Sequence, residues 1–163
     1  MKWSNFKTTF GRNGFNPKLQ AQQNDIISGG GDPDMTLCDI NDKLGDYPGF
    51  TKVIDFFGLE DVKARIHHQK TGQVFNVHID TFNENWGPEI SIDRMIRFTV
   101  MLEDWVPGQF YIYGNCTYDH WRAGDFHWFD WKNIPHGTAN ASRFSRASLQ
   151  ISGLKTEIGR AHV

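Results

Sequence analysis

Cysteine is nearly absent from this chain: Cys38 and Cys116 stand far apart, with neither a CxxC pair nor a Cys/His spacing around them. That excludes a disulfide framework and a thiolate zinc site as organising devices, so two reduced thiols are expected. Long apolar runs are lacking as well. No stretch approaches the ~20 residues that span a bilayer, and the opening "MKWSNFKTTF" has no apolar centre of a secretion signal, so a cytoplasmic protein without a membrane partner is expected. Charge of one sign is also missing. The 17 basic and 19 acidic residues are mixed along the chain and leave a net −2, so no basic stripe offers itself to a nucleic-acid backbone. The glycines of "SGGGDP" are not followed by the Lys-Ser/Thr ending and helix of a phosphate-binding loop, and a surface loop is expected there instead.

What is present is enough apolar material, 39% of 163 residues, for one domain with a real core. Residues 1–60 read as a helical and irregular N-terminal part. "NPKLQAQQNDII" has the texture of a short helix, and "PGFTKVIDFFGL" reads as a helix opened near Pro48 and stopped at Gly58. From Asp61 the texture changes to short β-branched and aromatic segments between Gly, Pro, Asn and Asp. The segments are "VKARIHHQ", "QVFNVHID", "DRMIRFTVMLED", "GQFYIYG", "CTYDHWRA", "DFHWFDW", "IPHGTANA" and "RFSRASLQISG". Eight strands are the count of a jelly roll, so a mainly β, double-stranded β-helix core over residues 61–155 is expected, with the N-terminal helices packed outside. The tail Glu157 to Val163, "EIGRAHV", resembles a translated sequencing adapter, and an assembled viral or environmental reading frame with a non-native end is the expectation.

In "QVFNVHID" strict alternation sets His78 and Asp80 on one face together with Asn76, and Val77 and Ile79 on the other. His136, in "IPHGTANA", is the candidate third member. Two imidazoles and a carboxylate on one side of an ion leave the opposite positions open, a donor set that suits non-haem Fe(II) and O2 chemistry. In "RASLQ", Arg146 and Ser148 face the same way on a strand. A guanidinium fork with a neighbouring hydroxyl makes a socket for the distal acid group of a dicarboxylate co-substrate.

These residues resemble a family. HxD at His78 and Asp80, the distal His136, and Arg146 with Ser148 look like the 2-oxoglutarate- and Fe(II)-dependent oxygenases of the double-stranded β-helix fold. Within them, "WRAGDFHWFDWKNIPHGTAN", Trp121 to Asn140, is similar to the aspartyl/asparaginyl β-hydroxylase branch. The resemblance spans roughly Arg65 to Gly153 and implies iron on His78, Asp80 and His136, with 2-oxoglutarate held through Arg146 and Ser148. It sets Arg97 of "RMIRFTVML" at a position that holds another carboxylate of co-substrate or substrate. Thr99 stands where that branch often carries His, and "TFNENWGPEISI" lengthens the gap before Arg97. Asp80 favours hydroxylation over halogenation, which needs that coordination position vacant.

The implied activity is hydroxylation of an amino-acid-like small molecule or peptide, with release of succinate and CO2, by a monomer or weak homo-oligomer. A cupin-type metalloenzyme without 2-oxoglutarate, or a non-catalytic jelly-roll structural or carbohydrate-binding module, are the other readings. Arg65, His67 and Gln69 of "RIHHQ" alternate onto one face, which is expected either to line the pocket mouth or to face water as edge-strand polar residues. Trp86, Trp105, Trp121, Trp128 and Trp131 are expected to pack the core, and His120 and His127 to be structural or solvated.

Overall fold

The computed structural model describes residue 24 and residues 26–32, 38–43, 45, 47–80 and 90–156. The expected helix over 16–27 falls mostly outside this set. The segment 81–89 with Trp86 and the tail 157–163 fall outside it entirely.

Among the described residues nine strands build two antiparallel sheets. In chain order they are β1 (Asp39–Asn41), β2 (Glu60–Gln69), β3 (Val74–His78), β4 (Met95–Met101), β5 (Gln109–Tyr113), β6 (Cys116–Tyr118), β7 (Phe126–His127), β8 (His136–Asn140) and β9 (Arg146–Leu154). The larger sheet runs β1-β2-β9-β4-β7 and the smaller β3-β8-β5-β6. The pairs β2–β9, β3–β8, β4–β7 and β5–β6 nest inside one another and fall alternately in the larger and the smaller sheet. A two-stranded antiparallel ribbon is therefore wound helically around the tip β5–β6, and the ladders β9–β4 and β8–β5 join its successive turns. That is a double-stranded β-helix, as the segment count predicts.

Each of the eight expected segments contains a strand, although that in "DFHWFDW" shrinks to Phe126–His127 and that in "CTYDHWRA" ends at Tyr118. The N-terminal part departs from expectation in one respect. It is not only an outer helical layer, because Asp39–Asn41 pairs with β2 and adds a fifth strand to the larger sheet. Pro48 opens a 3-10 turn over Pro48–Phe50 that runs into α1 (Thr51–Phe56), and the chain leaves it at Gly58, whose φ of +56° is the left-handed stop that glycine accepts without strain.

Alternation on the central strand β9 decides where the core sits. Ala147, Leu149 and Ile151 point to one side and are fully buried. Leu149 and Ile151, with Ile66 and Val100, pack under Tyr47, Phe50, Val53, Ile54 and Phe57, so the main apolar core lies between the larger sheet and the α1 layer. Arg146, Ser148, Gln150 and Ser152 point the other way, into the space between the sheets. One end of that space is closed by Met95, Leu154 and Trp131, with Phe129 against them. Trp121 and Trp131 are buried as expected, whereas Trp128 is exposed. Cys38 and Cys116 are free thiols. Among the described residues no helix is long and apolar enough to cross a membrane.

Candidate metal centre

His78 ends β3 and His136 begins β8, and the two are register partners across the ladder. They meet because β3 is bulged. Phe75 pairs with Thr138 and His78 with His136, so Asn76 and Val77 together oppose the single residue Gly137. The extra residue breaks the alternation expected for this strand. Phe75 and His78 both line the inter-sheet cavity, while Asn76 is exposed and does not share the His78 face. Gly137 permits the bulge, since a Cβ there would lie 2.8 Å from the Phe75 carbonyl oxygen and 3.2 Å from Val77 Cα.

Asp80, just past the end of β3, completes a cluster whose ligand atoms all lie within 4.8 Å of one another. His78 Nε2 is 3.4 Å from Asp80 Oδ1, His136 Nε2 is 3.5 Å from Asp80 Oδ2, and the two imidazole centroids are 4.5 Å apart. Donors at ~2.1 Å from one ion stand about 3.0 Å apart when adjacent in an octahedron, so small side-chain adjustments fit all three to one divalent cation. The second nitrogens are already committed. His78 Nδ1 lies 2.8 Å from the Asn76 carbonyl oxygen and His136 Nδ1 3.0 Å from that of Ile134. A carbonyl only accepts, so each Nδ1 carries a hydrogen and donates it, and each ring turns its Nε2 towards Asp80.

Arg97, on β4, stands across from the triad. It donates from Nη1 to Asp80 Oδ2 and, at 3.0 Å, from Nε to Ser152 Oγ, with its guanidinium 5.5 Å from the Trp131 ring centroid. Burial pushes Asp80 up, but the side chains of His136 and His78 and the charge of Arg97 outweigh it and hold the carboxyl well below its usual range. Burial disfavours the charged form of His78 too, yet its contacts with Asp80 and the Asn76 carbonyl raise it above the ordinary imidazole value. Burial lowers Arg97 to about 10, and Asp80 opposes that shift.

A cavity of about 370 Å³ opens between the sheets beside the triad. Of the three residues that alternate along "RIHHQ", Arg65 and His67 line it, whereas Gln69 does not and accepts from Arg146 instead. Thr99, Tyr111, Tyr113, Phe129, Thr138 and Gln150 line it too and were not singled out in the sequence as wall residues. The signal for two of them was there: Gln150 alternates with Arg146 and Ser148, and Thr138 with His136.

Arg146 is buried at the far side of Thr138 and Tyr111 and is not among the residues lining the cavity. Its Nη2 donates to Gln69 Oε1 and Thr138 Oγ1, and its guanidinium lies 4.3 Å from the Tyr111 ring centroid and 5.6 Å from that of Trp121. Ser148 Oγ accepts from the Tyr111 hydroxyl at 3.2 Å. Arg146 and Ser148 share the inner face of β9, and both are turned onto protein groups. His127 Nε2 and the Tyr113 hydroxyl share a hydrogen bond, and burial lowers the His127 pKa to about 4. His120 lies on the surface 2.6 Å from the adjacent Asp119 and stacks on Trp105.

No protein-family model and no curated protein matches the chain. Solved structures similar to it include a cupin protein from Bacteroides fragilis, at 15% identity over 63% of this chain and 74% of that one, with a TM-score of 0.43. A conserved protein with a double-stranded β-helix domain from Klebsiella pneumoniae shares 14% identity over 58% of this chain and 69% of its own, with a TM-score of 0.42. A predicted oxalate decarboxylase from Thermotoga maritima shares 12% over 56% of this chain and 65% of its own, with a TM-score of 0.41. The double-stranded β-helix assignment rests on the nested strand pairing of this chain, and these distant likenesses add nothing about its chemistry.

Proposed function

We propose that this chain is an Fe(II)- and 2-oxoglutarate-dependent dioxygenase that hydroxylates an amino-acid-like substrate, free or in a peptide, with release of succinate and CO2. The observation that carries the reading is the pair of imidazoles locked by backbone carbonyls so that both Nε2 atoms and the Asp80 carboxylate face one point. His78, Asp80 and His136 would hold the ion. Bound Fe(II) would supply the oxidative chemistry of O2 and the keto acid, for which a three-donor protein set leaves coordination positions open. Arg97, itself fixed by Ser152 and Trp131, restrains rotation of the Asp80 carboxylate. Phe75, Tyr111, Tyr113 and Phe129 shield the centre from bulk water. Asp80 occupies the position a halide would need, which favours hydroxylation. Arg146, with Ser148, is the proposed anchor for the distal carboxylate of 2-oxoglutarate, and it would act by exchanging its contacts with Gln69 and Thr138 for that group.

Anaerobic addition of Fe(II) and 2-oxoglutarate should give a weak visible charge-transfer band that is lost in His78→Ala and His136→Ala. In air, succinate should accumulate. Neither band nor succinate would end the proposal. Arg146→Gln should raise the 2-oxoglutarate requirement far more than the iron requirement. The commitment of Arg146 to protein groups favours a second reading, a cupin-type metalloenzyme that uses the same three ligands without 2-oxoglutarate. Stoichiometric metal without succinate release would select it. A non-catalytic jelly roll would bind no stoichiometric transition metal at all.

A further inference from the structure

The larger-sheet wall of the cavity carries a row of polar side chains that the metal centre does not use. Gln150 of β9 is the register partner of Arg65 on β2 and of Thr99 on β4, so the three lie side by side across three adjacent strands. All three line the cavity. Among the described residues their side chains have no hydrogen-bond or ion-pair partner, whereas Arg97 is held by Asp80 and Arg146 by Gln69 and Thr138. His67, two residues along β2, lines the same cavity, and its buried Nε2 has no partner either.

We propose that Arg65, Gln150 and Thr99 form a carboxylate-binding site on the cavity wall, for a small organic acid whose other end reaches the His78–Asp80–His136 centre. The donor chemistry fits the ligand. A guanidinium fork supplies two parallel N–H groups, the carboxamide of Gln150 two more, and the Thr99 hydroxyl another, all without acidic competition in the row. The charge balance fits too. Arg65 and Arg97 are the cationic side chains among the lining residues and Asp80 is the one acid, so the cavity favours a bound anion even before any metal enters. Burial, together with the charges of Arg65 and Arg97, keeps His67 neutral by lowering it to about 3, so it offers a hydrogen-bonding group rather than a further charge. That the acid is the hydroxylated substrate rather than the co-substrate rests on the function proposed above. The shared chemistry is the carboxylate.

The test is calorimetric titration of the metal-free protein with succinate, a dicarboxylate without the chelating keto group. Saturable binding that weakens with added salt is expected. Arg65→Gln should weaken it by about tenfold or more, Arg65→Lys less, and Gln150→Ala by a smaller factor. Arg65 has no protein partner to orphan among the described residues, so thermal melting of Arg65→Gln should match the parent, and Arg65→Lys provides the comparison in a variant that keeps the charge. Parallel titrations with 2-oxoglutarate and L-glutamate divide the sources. A loss confined to 2-oxoglutarate makes the row the co-substrate anchor, and a loss confined to glutamate makes it the substrate anchor. No succinate binding by the parent, or unchanged binding by Arg65→Gln, overturns the site. Because the readout needs no metal, it can succeed while the charge-transfer test fails, and the converse.

Discussion

The two faces of the five-stranded sheet share one backbone and differ in nearly every other respect. Outward, Leu149 and Ile151 of β9 and Ile66 of β2 are completely removed from solvent and press against aliphatic and aromatic groups from the 3-10 turn, α1 and the chain that follows it. Inward, β2, β4 and β9 present Arg65, His67, Arg97 and Gln150 to a cavity. The difference teaches that cohesion and recognition have been assigned to opposite sides of one layer. Apolar burial stabilises regardless of direction, so it suits the side whose only task is to hold. Polar groups in a partly dry space are costly unless bonded, so each inner residue either has a protein partner or faces the cavity.

The sharpest way to break this division is to cut the outer side. Leu149→Ala should lower stability by about 2–5 kcal/mol, measured by denaturant unfolding, and leave metal binding by the folded fraction unchanged. A large loss of metal affinity in the folded protein would mean that the two faces are coupled. The inner counterpart is His136→Ala. It should weaken binding of a divalent ion by more than about a hundredfold, roughly 2.7 kcal/mol, yet shift the melting temperature of the metal-free protein less than Leu149→Ala does.

Two glycines sharpen the comparison further. A Cβ on Gly153 would meet the Glu60 carbonyl oxygen and Leu59 Cβ at 2.9 Å, and one on Gly137 would meet the carbonyl oxygen of Phe75 in the bulge. Each change to alanine should cost about 1–3 kcal/mol, but only Gly137→Ala should also weaken metal binding, because only it displaces His78. A last comparison concerns pH. Unfolded, His67 and His127 take up a proton near 6.5, whereas folded they do so only at about 3 and about 4. Between those values the unfolded chain holds more protons, so stability falls as pH drops from 6.5 towards 4. His127→Gln should flatten that fall in a series of thermal melts.

Most of this division could be read in the sequence, and the rest depended on partners that sequence does not show. The eight strands were visible because β-branched and aromatic runs bounded by turn residues specify local extension. β1 was not, since "DIN" has no period of its own and is a strand only through pairing with β2. Alternation grouped Arg146 with Ser148 correctly. It failed at Asn76, because a bulge is decided by the opposite strand, where Gly137 makes room. His78, Asp80 and His136 could be singled out by residue type and order, and the structure brings them together. The occupants of the Arg146 fork, Gln69 and Thr138, come from other strands, and alternation gives the face of each but not its pairing with Arg146.

The bulge in β3 has a practical meaning for protein engineering. The spacing of the two imidazoles is set by a one-residue offset between adjacent strands and not by the length of chain joining them. New segments grafted into the turns at the far end of the ribbon, such as that between β6 and β7, should change what the cavity admits while the metal-donor geometry stays intact. Deleting Asn76 should remove the extra residue and leave Val77 alone opposite Gly137, so that β3 becomes regular while His78 stays on the cavity face opposite His136.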